Sequence, residues 1–336
     1  MPATIDLSVK KPAAQGDGWT FADDVYTVLS GADVTVTGSN KGSRRRIAVA
    51  EEAQDVRITL DGVTIALDDT DSADALFLNR GASVTLVLAG ENTVTVKHLK
   101  ARCIDTRGKT SLTITGEGSL TASSGGTVIG GDDIIINDGK IRLGADRDGA
   151  ALKGIHITIN GGDIFAGGRE KGKFGGYGIM GRDTGNVTVA INGGTVTAEG
   201  CRDCAAIDGA IIAISGGTVH ATSKGYGAAI GGTVASVGGK GTSGGTVIIN
   251  GGNVTAVCEK KKEGAGIGAG ADAVNGGTLI MEGNAVVFTS SLEHYKAKRY
   301  GDGTASGSKT AIKTNTGGVT GGTLFVGNRD RPFFQG

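Results

Sequence analysis

The sequence predicts an all-β chain, a right-handed parallel β-helix of about ten coils with short terminal caps. Two observations predict it. The first is a recurring phrase: AINGGTVTA at 190–198 returns as AISGGTVHA at 213–221 and as IINGGNVTA at 248–256. A second phrase precedes each copy: Gly178-Ile179-Met180-Gly181, Ala206-Ile207-Asp208-Gly209 and Ala229-Ile230-Gly231-Gly232. Apolar alternation between glycine turns, with no helical period, reads as one coil of a β-solenoid. The second is composition. Glycine takes 62 of 336 positions without a three-residue period, which excludes collagen, and only 4% of residues are aromatic. A thin column of stacked Val, Ile, Leu and Ala needs few aromatics, and its corners need residues that tolerate positive φ.

Residues 1–24 fall outside the repeat, and Trp19 and Phe21 suit an apolar cap over the open end of the solenoid. The helix is expected over 25–327. A partial coil at 26–37 leads into coils at 46–67, 75–96, 103–122, 128–143 and 151–166. The three phrase-bearing units follow, then coils at 266–289 and 311–327; the tail at 328–336 carries Phe333 and Phe334 as a second cap. Parallel stacking at ~4.8 Å per rung gives a rod on the order of 50 Å long, and parallel crossovers are overwhelmingly right-handed. One repeat through nearly the whole chain means one domain.

The 34 basic and 34 acidic residues balance, so global charge selects no partner, and neither nucleic acid nor membrane is expected as one. No stretch approaches a membrane span, and Met1 to Lys11 lacks the apolar run of a signal peptide. That places the protein outside the cell if a leader has been removed, and otherwise inside it or on a virion.

Insertions are expected at one point of the coil, after the TVTA-like strand and before the next AIxG phrase, so that they project along one edge. That edge is basic with aromatics interleaved: Lys171, Lys173, Phe174, Tyr177, Lys224, Tyr226, Tyr295 and Tyr300. Aromatic faces stack on sugars and cations neutralise carboxylates, so this ridge is the candidate ligand-binding surface. Solvated turns that happen to be basic explain it equally well.

A second candidate lies in the AIxG strand, where Ile207 should point inward and Asp208 outward. Its equivalents are Asp105, Gly130, Lys153, Met180, Gly231, Gly268 and Lys313, with Arg182 close by. Were the protein an enzyme, Asp105, Lys153, Arg182 and Asp208 would be its catalytic residues, because carboxylates and cations on adjacent rungs suit a polysaccharide lyase or glycoside hydrolase. A polar outer face is the simpler account. Calcium is compatible with Asp-rich turns, with Asp132 and Asp133 as candidate ligands, although Asp beside Gly is an ordinary turn pair. Cys201 and Cys204 form a CxxC; the other cysteines fall on distant coils, which leaves a local disulfide or free thiols.

The phrase AAIGG at 228–232, with a strand and then an INGGTVTA-type sequence as at 191–198, resembles the right-handed β-helix carbohydrate-binding proteins of cellulolytic clostridia, the polygalacturonate-binding, pectate-lyase-like type. The likeness spans roughly 75–326 and is strongest at 103–122 and 205–256. It implies a calcium-containing helix that binds acidic plant polysaccharide without established catalysis; no catalytic residue carries over. The combined expectation is a carbohydrate-binding β-helix that recognises an acidic polysaccharide through its ridge without catalysis. The alternatives are a β-helical lyase or hydrolase, and a structural or adhesive rod such as a phage tail or surface fibre; a homo-oligomer is compatible with each.

Overall fold

The computed structural model describes residues 2–68, 70, 72–146, 149–169, 176–181, 187–201, 203–232, 244–259, 264–270, 277–291, 312–313 and 316–327. Among these there is no helix, and the strands wind into a parallel β-helix of three faces. Sheet I holds the AIxG-type strands, sheet II the strands that lead into Asn-Gly-Gly, and sheet III the TVTA-type strands that follow it. Val25–Val28 begins sheet I as the expected partial coil, in register with Arg46–Val49. Ten further sheet I strands among the described residues open successive coils: Arg46–Val49, Leu76–Leu78, the starts of Ile104–Thr115 and of Ile129–Ile136, Ala150–Gly154, Tyr177–Gly181, Ile207–Asp208, Ile230–Gly231, Ile267–Gly268 and Ile312–Lys313. They are numbered coils 1 to 10 here.

Period-two alternation puts every second side chain inside. Ile191, Ile214 and Ile249 stack in register on sheet II, Val196, Val219 and Val254 on sheet III, and Ile179, Ile207 and Ile230 on sheet I. All are 1% exposed or less, and each buried aliphatic side chain contributes roughly 1.5–3 kcal/mol before chain entropy is counted.

The corner from sheet II to sheet III is the tightest, and it explains the Asn-Gly-Gly phrase. A Cβ on Gly193 would lie 2.5 Å from the carbonyl oxygen of Asn160 one coil earlier, so the first glycine is required by close backbone approach. Gly194 has φ +78°, and its Cβ would lie 2.6 Å from the Gly162 oxygen, so the second is required by both conformation and space. The preceding polar residue forms a ladder along the rod: Asn160 Nδ2 donates to Asn137 Oδ1, Asn192 Nδ2 to Asn160 Oδ1, and Ser215 Oγ to Asn192 Oδ1, each at 2.8 Å.

At the amino end, Gln15–Gly16 and Trp19–Ala22 pair antiparallel, and Trp19–Ala22 pairs antiparallel with Val25–Val28. Trp19 and Phe21 pack on Tyr26 with ring centroids 5.3 and 4.5 Å apart. Parallel pairing reaches back into the segment read as a cap, because Ala3–Asp6 lies in register with Asp33–Ser39. Phe333 and Phe334 lie outside the described residues.

Candidate functional site

Variation between coils occupies two corners. Between sheets III and I, as the sequence suggests, come the described residues 97–103, 149, 176, 201, 203–206, 224–229, 259 and 264–266. Of the ridge, Tyr177, Lys224 and Tyr226 can be placed; Lys171, Lys173, Phe174, Tyr295 and Tyr300 lie outside the described residues. Tyr177 opens its sheet I strand beside Ala150 and is half-buried, as is Tyr226. Lys224 Nζ meets Glu199 Oε2 at 2.6 Å, and that hydrogen bond raises the ammonium pKa. Lys97 meets Asp68 at 3.0 Å on the same corner, an exposed pair of opposite charges.

The second variable corner, between sheets I and II, is longer in the early coils than the repeat suggests. Coil 2 uses 79–82 and coil 3 uses 107–110, where coil 4 has the single residue Asp132. Gly81 N donates to Gly108 O at 2.9 Å and Glu52 N to Arg80 O at 2.8 Å, so the arches stack like rungs. Coil 4 has no arch to receive the last amides. Asp132 Oδ2 receives them instead, from Gly108 N at 2.9 Å and from Lys109 N.

The sheet I column has the register read from the sequence: Asp105, Gly130, Lys153, Met180, Asp208, Gly231, Gly268 and Lys313 are successive partners. The side chains do not converge. Asp105 and Lys153 are two rungs apart, as are Lys153 and Asp208, so the two carboxylates are separated by about 19 Å at ~4.8 Å per rung. Arg182 lies outside the described residues.

Asp105 does not face solvent as the alternation implies. Its side chain is 0% exposed, closed over by Arg102 Nη1 at 2.6 Å and by Arg107, which donates through Nε at 2.8 and 2.9 Å and through Nη2 at 2.5 Å. Burial alone would raise its pKa, but the Arg107 hydrogen bonds and the Arg102 charge hold the carboxyl below its usual range. Asp74, which accepts from Arg102 N at 2.7 Å, carries the opposite shift. Burial, reinforced by the neighbouring Asp105, pushes it up to about 6 against the Arg102 amide. Asp208 occupies the outward column yet is half-buried, and burial pushes its carboxyl up to about 7.

Asp132 and Asp133 do not form a cage. The first is committed to the arch amides and the second to His156 Nδ1 at 2.7 Å; among the described residues no three His, Cys, Asp or Glu are arranged to hold a metal ion. The four cysteines are buried thiols; Cys201 Sγ donates to Gly168 O at 2.8 Å, and burial pushes the Cys103 thiol up to about 12.

Sequence reasoning missed an open groove of about 890 Å³ at the sheet II to III edge of coils 2–4, bordered by Glu91, Glu117, Lys140 and Arg142. Arg142 is held by both carboxylate oxygens of Asp163 at 3.1 and 2.5 Å. The signal was present: coils 2 and 3 replace Asn-Gly-Gly with Ala89-Gly90-Glu91 and Gly116-Glu117-Gly118, so the edge is recessed there.

No curated protein and no solved structure matches the chain. A family model described as "Carbohydrate-binding domain-containing protein" matches residues 22–285, from the end of the amino-terminal hairpin to coil 9. The match covers well over half of the 336 residues, and the chain belongs to the family of carbohydrate-binding domain-containing proteins.

Proposed function

We propose that this protein binds an acidic polysaccharide along its variable corners and does not cleave it. The observation that carries the reading is the family match laid over the coils themselves: it runs from the end of the amino-terminal hairpin into coil 9 of the β-helix. A helix with one rung every ~4.8 Å offers a long polymer a repeating set of side chains, and loops on a rigid scaffold are where binding residues concentrate. The cations and tyrosines at the sheet III to I corner, with Lys224 and Tyr226 as members, favour a carboxylated glycan. The spread of Asp105, Lys153 and Asp208 over four rungs favours binding over catalysis, which needs groups within hydrogen-bond reach of one point.

The test is affinity electrophoresis of the whole protein through gels containing polygalacturonate or neutral glycans, with product formation followed by absorbance. Retention in polygalacturonate without unsaturated or reducing-end products is the expected result. Products would move the assignment to a lyase or hydrolase, and no retention on any glycan would leave a structural rod. Repeating the run with EDTA reads the part of calcium: loss of retention would make the ion part of the site.

A further inference from the structure

We infer that the arch of coil 3, with Arg80 beside it, is a binding site for the carboxylate of an acidic sugar, centred on Arg107. This rests on the acidic-polysaccharide reading and gives it a location away from the ridge.

Arg107 is held as a ligand-binding arginine should be. One edge of its guanidinium, Nε and Nη2, is spent on the fully buried Asp105, while Nη1 makes no hydrogen bond among the described residues and the side chain is 52% exposed. Asp105 is fixed from its other side by Arg102, which also donates to Gly130 O at 3.2 Å. Burying a carboxylate between two arginines does little for stability, since desolvation offsets the attraction. What it does is orient Arg107 with its remaining donors outward, ready for bidentate recognition.

Two more cations flank it. The arch packs closely on coil 2, because a Cβ on Gly108 would lie 3.3 Å from Arg80 Cα, and Arg80 makes no side-chain hydrogen bond or ion pair among the described residues. Lys109 is exposed on the same arch, with φ +62°, a left-handed conformation unusual for lysine. Asp132 fixes that turn through the two arch amides, so its negative charge is already engaged by backbone donors. Glu52 lies on the far side, against Gly81. Three exposed cations on two adjacent rungs, one pre-oriented by a buried carboxylate, suit a polymer that carries a carboxylate on each sugar better than a single point anion.

The experiment measures retention of the whole protein in polygalacturonate gels for the wild type, Arg80→Ala, Lys109→Gly and Arg107→Gln, with thermal melts to verify folding. Lys109→Gly suits the left-handed backbone, and Arg80→Ala removes no bonded partner, so both variants should fold even if Arg107→Gln, which strips a partner from buried Asp105, does not. The expected result is a loss of about tenfold or more in affinity for either folded variant. Soluble galacturonate should compete better than inorganic phosphate at equal ionic strength. Undiminished retention of both Arg80→Ala and Lys109→Gly would overturn the site while leaving acidic-glycan binding intact. Equal competition by phosphate would reduce it to a non-selective cationic patch and overturn it. Absence of wild-type retention would overturn both this site and the reading it rests on.

Discussion

The sheet II to III corner and the sheet III to I corner face opposite demands. From coil 4 to coil 8 the first repeats Asn-Gly-Gly or a close variant, held by backbone approach, positive φ and the side-chain ladder. The second changes length and composition at each coil, and its Lys224–Glu199 and Lys97–Asp68 pairs are exposed and local. A solenoid keeps its stability in the corner it cannot vary and is free to place recognition in the corner it can.

Substituting the Asn-Gly-Gly corner should have the largest effect. Gly194→Ala places a Cβ 2.6 Å from a backbone oxygen and forces alanine to φ +78°, so we expect a loss of about 3 kcal/mol or more in chemical denaturation. A loss under about 1 kcal/mol would show that the corner relaxes and that the repeat is not enforced by packing.

Asp208 sharpens the comparison through pH. Its folded-state pKa of about 7 lies above the ordinary carboxyl value of 3.8, so its contribution to stability is complete below about pH 4 and is lost as pH rises through 7. Asp208→Asn should therefore stabilise the protein at pH 8 by about 1–2 kcal/mol, after allowance for its partial exposure, and change little at pH 4. A melt at pH 8 that leaves wild type and variant equal would contradict the burial argument. Breaking the ladder is smaller: Asn160→Ala removes two exposed side-chain hydrogen bonds and should lower stability by about 0.5–1 kcal/mol. Smallest is Lys224→Ala, where an exposed ion pair is lost; unfolding should shift by less than about 0.5 kcal/mol.

Much of the fold was legible because a β-helix writes its period into the chain. The ten coils and the column from Asp105 to Lys313 follow from aligning AIxG phrases, since parallel in-register stacking leaves no freedom once the phrase is recognised. The site was less legible, for particular reasons. Alternation assigns Asp105 to the outer face, but it cannot show that Arg102 and Arg107 fold over that face and bury it. The arches at 79–82 and 107–110 share only the Arg-Gly pairs Arg80-Gly81 and Arg107-Gly108, so their stacking, and the role of Asp132 in ending the stack, emerge only when three coils are superposed. The groove at Glu91 and Glu117 was marked by the absence of Asn-Gly-Gly, and a reading built on repeats passes over absences.

The most direct test of the division between corners is one polygalacturonate affinity-electrophoresis run comparing wild type, the triple variant Tyr177→Ala, Lys224→Ala, Tyr226→Ala, and the ladder variant Asn160→Ala. The account predicts that the triple variant loses about tenfold or more in retention while Asn160→Ala migrates as wild type despite its lower stability. Weakened retention of Asn160→Ala alongside an unaffected triple variant would contradict it, and would move recognition to the Asn-Gly-Gly corner.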